Sequence, residues 1–160
     1  RVCGAETAAT AVFAGAPTLR GYSVASSEVH AGGPVDLTLY WQVDAPLDRP
    51  LASFVHVRPS TSEQQANPAS PNGMWAQEEH RSWDGLLGSE LVPGKLYSDS
   101  YRLDLPREMP PGMYFLEFGW FDPVSGEQVD TPEGSAQPPL RILWRSVLLP
   151  DLNVRAADHE

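Results

Sequence analysis

The stretch that decides the fold is residues 35–43, which read VDLTLYWQV. Its odd positions are apolar, and its even positions are Asp, Thr, Tyr and Gln. Because successive side chains of a strand point to opposite faces, this strict alternation predicts a half-buried β-strand with the odd positions facing the core. The Gly32-Gly33-Pro34 segment just before it predicts a turn.

Segments with strand character lie further along the chain, and we predict strands at 51–57, 75–80, 97–105, 113–121, 127–130 and 140–145. The first of these is apolar on nearly both faces, which is typical of a strand inside a sheet. Asp99 is an exception to the pattern, since it falls on the apolar face of its strand. Alternation also predicts that Trp41, Trp120 and Trp144 belong to the core.

No segment of ten or more residues has the period of a helix, and 13 Gly with 16 Pro supply frequent turns. The predicted fold is therefore all-β, an antiparallel two-sheet β-sandwich of about seven to nine strands. Strand order stays open between an immunoglobulin-like and a jelly-roll-like arrangement. Residues 1–15 are predicted to be a linker or an edge strand, 16–150 a single β-sandwich domain containing a long loop at 59–73, and 151–160 a polar tail.

Composition excludes several function classes. The 160 residues carry a net charge of −10 with a single lysine, Lys95, so binding to nucleic acid or to an anionic membrane surface is not expected. The one cysteine, Cys3, cannot form an internal disulfide, and no Cys/His zinc spacing occurs. No apolar run approaches the roughly 20 residues of a membrane span. We expect no cofactor and no direct membrane insertion, and because the chain starts with Arg1 it looks like a piece of a longer protein.

An ordered set of short motifs between residues 19 and 130 resembles a known family. The set consists of Leu19-Arg20-Gly21-Tyr22, Leu37-Thr38-Leu39-Tyr40-Trp41-Gln42, Phe54-Val55-His56-Val57, Ala76-Gln77-Glu78, Val92-Pro93-Gly94, Asp99-Ser100-Tyr101-Arg102-Leu103, Pro110-Pro111-Gly112-Met113-Tyr114, and Gly119-Trp120-Phe121-Asp122-Pro123 with Gly126-Glu127. In this order the motifs resemble the C-terminal β-sandwich domain of bacterial membrane glycosyltransferase-like proteins of the protein-mannosyltransferase-like type. Where that family tends to have an Asp after the Gln, this chain has Glu78-Glu79, and its loop before Trp75 is longer.

The resemblance implies a non-catalytic accessory domain on the extracytoplasmic side of the bacterial cytoplasmic membrane. Its implied partners are the membrane-embedded portion of the parent protein and a glycan or glycosylated acceptor. Two alternatives stay open: a stand-alone carbohydrate-binding module of a secreted enzyme, and a purely structural or protein-interaction sandwich.

The densest set of titratable residues is Glu78, Glu79, His80 and Asp84. Adjacent strand residues point to opposite faces, so Glu78 and Glu79 are not expected to act as a glycosidase pair. Glu79, His80 and Asp84 could bind a metal, or the whole set could form a solvated loop rim. Similarly, Asp122, Glu127 and Asp130 are weak candidates for a calcium site, although an Asp at a turn normally bonds its own backbone. His56, inside a strand, is expected to be a hydrogen-bonded structural residue.

Trp75 and Trp83 lie in or beside irregular, polar sequence and are the candidate ligand-binding aromatics, together with Gln77, Glu78 and Asp84. An exposed indole ring stacks on the apolar face of a pyranose while neighbouring carboxylates and amides bind the hydroxyls. This combination predicts a sugar site. The alternative is that both rings cap the open end of the sandwich.

Overall fold

The computed structural model describes residues 7–25, 28–47, 49–60, 66–83, 85–132 and 134–157. These residues contain a short 3-10 helix at Gly88–Glu90 and eleven strands: β1 (Thr7–Ala11), β2 (Thr18–Val24), β3 (Glu28–His30), β4 (Pro34–Gln42), β5 (Ala52–Pro59), β6 (Ala76–His80), β7 (Leu96–Asp104), β8 (Gly112–Phe121), β9 (Arg141–Leu143), β10 (Ser146–Leu148) and β11 (Leu152–Arg155). Within this described part of the chain, no helix has the length and apolar character needed to cross a membrane.

The strands form two sheets, which confirms the predicted all-β sandwich. One sheet has four strands in the order β1-β2-β4-β7, and every neighbouring pair is antiparallel. The other sheet has seven strands centred on β8. One side of β8 pairs with β5, which in turn pairs with β6, while its other side pairs with β11 and with β10. The parallel pair in this sheet joins β11 to β3.

The core lies between the inward faces of the two sheets and has the periodicity predicted from the sequence. In β4 the odd positions 35, 37, 39 and 41 are buried, and in β8 the even positions 114, 116, 118 and 120 are buried. Trp41 and Trp120 are fully buried with their ring centroids 5.2 Å apart. The prediction that β5 lies inside its sheet is also confirmed, because it pairs with a strand on each side.

Three predictions about the C-terminal third are wrong. The strand predicted at 140–145 ends after Leu143, and the chain turns at Trp144 and Arg145 into a separate strand, β10. Residues 127–130 form only an isolated bridge, between Gln128 and Phe121. The predicted polar tail contains β11, whose Leu152 and Val154 are buried, and only residues 158–160 of that tail lie outside the described residues.

The physical reason is common to these errors. One apolar residue on the polar face, Leu143, does not distinguish a two-residue turn from a continuous strand, so the sequence does not locate the break between β9 and β10. In β11 only two of four residues are apolar, which is too short a pattern to distinguish from a polar tail. The described residues thus contain eleven strands where about seven to nine were expected.

Candidate functional site

The two tryptophans predicted to bind sugar are buried. Trp83 is 4% exposed and Trp75 is 6% exposed, and both belong to the core. The Trp83 ring packs 5.4 Å from the Trp41 ring and 5.5 Å from the Trp120 ring, measured between centroids. The expectation of exposed indole rings at these positions is therefore wrong, because neither ring can stack on a pyranose without leaving the core.

The Trp83 indole is fixed in place by Asp99 of β7. Trp83 Nε1 donates a hydrogen bond of 3.0 Å to Asp99 Oδ2, and the other carboxylate oxygen lies 2.7 Å from Nδ1 of His80 at the end of β6. On its other side, His80 Nε2 lies 3.2 Å from Glu78 Oε2. These four side chains connect β6 at the edge of one sheet to β7 at the edge of the other. We call them the Asp99 network.

Tyr101 and Ser53 extend the Asp99 network toward the core. The His80 ring stacks on the Tyr101 ring with centroids 4.0 Å apart, and the Tyr101 hydroxyl is hydrogen-bonded to the Ser53 hydroxyl. Hydrogen bonding to Asp99 raises the pKa of His80 above its usual value, which burial only partly opposes. Burial raises the pKa of Tyr101 far above its ordinary range. Tyr101 therefore stays protonated and supplies no base to activate Ser53.

The remaining members of the predicted site are split between two faces of β6. Glu78 pairs across the sheet with Val55 and points inward, whereas Glu79 pairs with Phe54 on the outer face. The prediction that Glu78 and Glu79 point to opposite faces of the strand is therefore confirmed. Gln77 is exposed, and its Oε1 accepts a hydrogen bond of 3.0 Å from Asn72 Nδ2. Asp84 lies outside the described residues. Ligand binding by Gln77, Glu78 and Asp84 stays a prediction. Stacking of a sugar on Trp75 or Trp83 is not supported, because both rings are buried.

A second buried carboxylate, Glu117, lies on the outer face of the seven-stranded sheet. Its Oε1 is 3.3 Å from His56 Nδ1 and 3.1 Å from Arg58 Nη1, and its Oε2 accepts a hydrogen bond from the Ser146 hydroxyl. Burial alone would raise the pKa of Glu117, but these hydrogen bonds and the Arg58 charge lower it. His56 is thus a hydrogen-bonded residue, as expected, and Glu117 is held ionised by its neighbours.

The candidate calcium residues are engaged in other contacts. Asp122 Oδ1 accepts a hydrogen bond of 2.8 Å from the Val124 backbone N–H, the local turn role that the sequence suggested. Asp130 and Glu127 face Arg145, at 2.8 Å and 3.7 Å. Among the described residues, no group of three or more His, Cys, Asp or Glu side chains could hold a metal ion. Asp84 lies outside the described residues, so a metal site that includes it stays a prediction.

The tryptophan that does reach solvent is Trp144, which was predicted to be core. It is 71% exposed, whereas the other four tryptophans are buried. Trp144 and Arg145 form the turn between β9 and β10, in which Leu143 pairs with Ser146. Arg145 has a positive φ of 55°, a conformation that costs a non-glycine residue free energy.

Arg145 connects the exposed ring to the body of the domain. Its Cζ lies 4.7 Å from the centre of the Trp144 ring, within the range of a cation–π contact. On the other side, Arg145 Nε lies 2.8 Å from Asp130 Oδ1. The ring, the guanidinium and two carboxylates are therefore gathered at one tip. We call Trp144, Arg145, Glu127 and Asp130 the Trp144 site.

The sequence could not reveal this site. Glu127 and Asp130 were noticed as oxygen ligands, but Arg145 was assigned to the polar face of a continuous strand. Since the single interruption of the alternation at Leu143 does not reveal a turn, only the tertiary pairing of β10 with β8 shows that the chain turns at Trp144.

Comparisons with known proteins give a distant likeness to solved structures alone. No family model and no curated protein matches the chain. Among solved structures, the crystal structure of the PmoD soluble domain from Methylocystis sp. ATCC 49242 (Rockwell) aligns with 94% of this chain and 98% of that chain, at 10% identity and a TM-score of 0.41. A likeness this weak says nothing about function.

Proposed function

We propose that this domain is a non-catalytic glycan-recognition module whose binding surface is the Trp144 site. We further propose, from the sequence resemblance, that it is an accessory domain of a membrane-bound glycosyltransferase-like protein and works outside the cytoplasmic membrane. In that role it positions a glycan or a glycosylated acceptor for the membrane-embedded portion of its parent.

The observation that carries the proposal is the exposure of the Trp144 ring. Leaving a large apolar ring in water forgoes about 2 kcal/mol of burial free energy, and the turn beneath it keeps a strained Arg145. A flat ring held in this way can stack on the C–H face of a pyranose. Glu127 and Asp130 lie close enough to Arg145 to accept hydrogen bonds from sugar hydroxyls beside the ring.

The bonding of the two buried polar clusters supports a non-catalytic role. In the Asp99 network the carboxylate oxygens are bonded to His80 and Trp83, and in the second cluster those of Glu117 are bonded to basic side chains and Ser146. Catalytic acids and bases need a free position next to a substrate. These groups instead bond one another and connect strands.

A glycan-panel screen of the isolated domain tests the proposal. We expect saturable binding to at least one glycan, and Trp144→Ala should weaken that binding by about tenfold or more, as truncation of a central aromatic anchor does. Val124→Ala is the matched control, because Val124 is an exposed apolar residue on the neighbouring turn. Binding that survives Trp144→Ala, or a panel with no hit at millimolar concentration, would rule out this function.

A further inference from the structure

A pocket of about 520 Å³ opens beside the 3-10 helix, and it shares no residue with the Trp144 site. Its volume lies in the range of small-molecule sites, roughly 300–1,000 Å³. The wall is mainly apolar and includes Leu47, Leu51, Leu87 and Pro123. Leu87 is 57% exposed, so an apolar ligand would remove from water a side chain that folding leaves uncovered.

Two arginines, Arg49 and Arg81, also line this pocket. They stand out in a chain with 21 acidic and 11 basic residues. Arg81 Nη2 is 3.4 Å from Glu79 Oε2, a contact between two largely exposed groups that contributes little. Arg49 forms no ion pair with another residue in the described part of the chain. Arg81 Cζ also lies 5.9 Å from the centre of the Phe121 ring, a contact with the face of the guanidinium that leaves its N–H groups able to bind an anion.

We propose that the pocket binds a small amphipathic anion, an apolar body that ends in a carboxylate or a phosphate group. The body fills the space between Leu47, Leu51 and Leu87, and the head group pairs with Arg49 and Arg81. Arginine suits both head groups, because its planar fork donates two parallel hydrogen bonds to carboxylate or phosphate oxygens. A neutral sugar would leave both guanidinium charges uncompensated, and a cation would be repelled by them.

Calorimetric titration with octanoate, octyl phosphate and octyl glucoside, each below its micelle concentration, tests the pocket's chemistry. The three probes share a tail and differ in the head group. We expect saturable binding of at least one of the anions, with octyl glucoside weaker by about tenfold or more, the usual size of a lost charged hydrogen bond. The stronger anion identifies the head group as carboxylate or phosphate.

Variants locate the site and keep the proposal falsifiable. Arg49→Gln with Arg81→Gln removes both charges from exposed positions, and it should weaken anion binding by about tenfold or more. Arg102→Gln, an exposed arginine on the four-stranded sheet, is the control and should bind as the unaltered protein does. Equal binding of all three probes, no binding of either anion, or full binding by the double variant would overturn the proposal. None of these outcomes depends on the Trp144 site.

Discussion

Asp99 shows how one misplaced residue in a pattern can reveal a structural connection. It lies on the buried face of β7, where an unpaired carboxylate would cost several kcal/mol of desolvation free energy. His80 and Trp83 each donate to one of its oxygens, so the charge is compensated. Because those donors come from β6 and the segment after it, Asp99 joins the edges of the two sheets.

Asp99→Asn should lower the free energy of unfolding by about 1–3 kcal/mol, because a neutral amide accepts more weakly and its NH₂ would face a buried donor. Asp104→Asn is the matched control, since Asp104 is exposed on the same strand and should change stability little. Urea unfolding of both variants measures the difference. Equal effects of the two substitutions would show that the hydrogen bonds of Asp99 do not stabilise the fold.

His80 should make stability depend on pH. Its pKa is raised in the folded state, chiefly by the hydrogen bond to Asp99, from an ordinary value of 6.5. A raised pKa means that the folded state binds the proton more tightly than the unfolded state does. The stabilisation is therefore complete below pH 6.5 and disappears as pH rises from there through the folded pKa.

Unfolding curves of the unaltered protein and of His80→Gln, measured across this interval, give the test. The stability difference between them should be largest below pH 6.5 and should shrink as pH rises. Asp99→Asn should remove much of the same dependence, because it removes the main cause of the shift. A difference that stays constant with pH would contradict the pairing of His80 with Asp99.

For single residues, the sequence predicted which positions are unusual but not which side chains they contact. Asp99 was recognised as an exception on an apolar face, but nothing near it in the sequence identified His80 and Trp83 as its partners. Polar surroundings suggested that Trp83 is exposed, whereas its indole N–H is satisfied by a residue 16 positions away. The composition of the surrounding sequence cannot predict a hydrogen bond between residues so far apart in the chain.

Among the elements, β8 holds the seven-stranded sheet together. Three strands pair with it: β5 on one side, and β10 and β11 on the other. The long apolar and aromatic run at 113–121, bounded by Pro110-Pro111-Gly112 and Asp122-Pro123, made this strand easy to predict. The short strands β9, β10 and β11 of the same sheet have three or four residues each, too few to show a period. The four longest strands, β4, β5, β7 and β8, were predicted, whereas most of the shorter ones were not, including the seven-residue β2.

Gly119 of β8 should not tolerate a side chain. A Cβ there would lie 2.6 Å from two ring atoms of Phe54 and 3.3 Å from the Arg145 carbonyl oxygen, and the Phe54 ring is itself buried. Gly119→Ala should therefore lower the free energy of unfolding by about 1–3 kcal/mol, the usual cost of overpacking.

Gly88→Ala is the control for this prediction, because a Cβ at that buried glycine would make only ordinary contacts of 3.8 Å or more. Adding Phe54→Leu to Gly119→Ala should recover part of the lost stability. Thermal unfolding of the three variants measures the effect. If Gly119→Ala proves as stable as Gly88→Ala, the close packing of Phe54 on β8 is contradicted.

At the scale of the whole molecule, both proposed binding surfaces contain arginine although the chain is strongly acidic. The chain carries a net charge of −10, yet the exposed ring of Trp144 lies over an arginine and the pocket beside the 3-10 helix contains two more. The fold class could be predicted from alternation and turns alone. Neither surface could be predicted, since each combines residues from turns and loops that are distant in sequence.

The central claim is that a glycan binds at Trp144 while the other four tryptophans stay in the core. The most direct measurement follows the five indole N–H resonances by NMR while a glycan identified in the panel is added. Our account predicts that the Trp144 resonance moves with saturable dependence on glycan concentration and that those of Trp41 and Trp120 do not. Shifts at Trp83 or Trp75 with none at Trp144, or binding that leaves all five resonances unchanged, would contradict it.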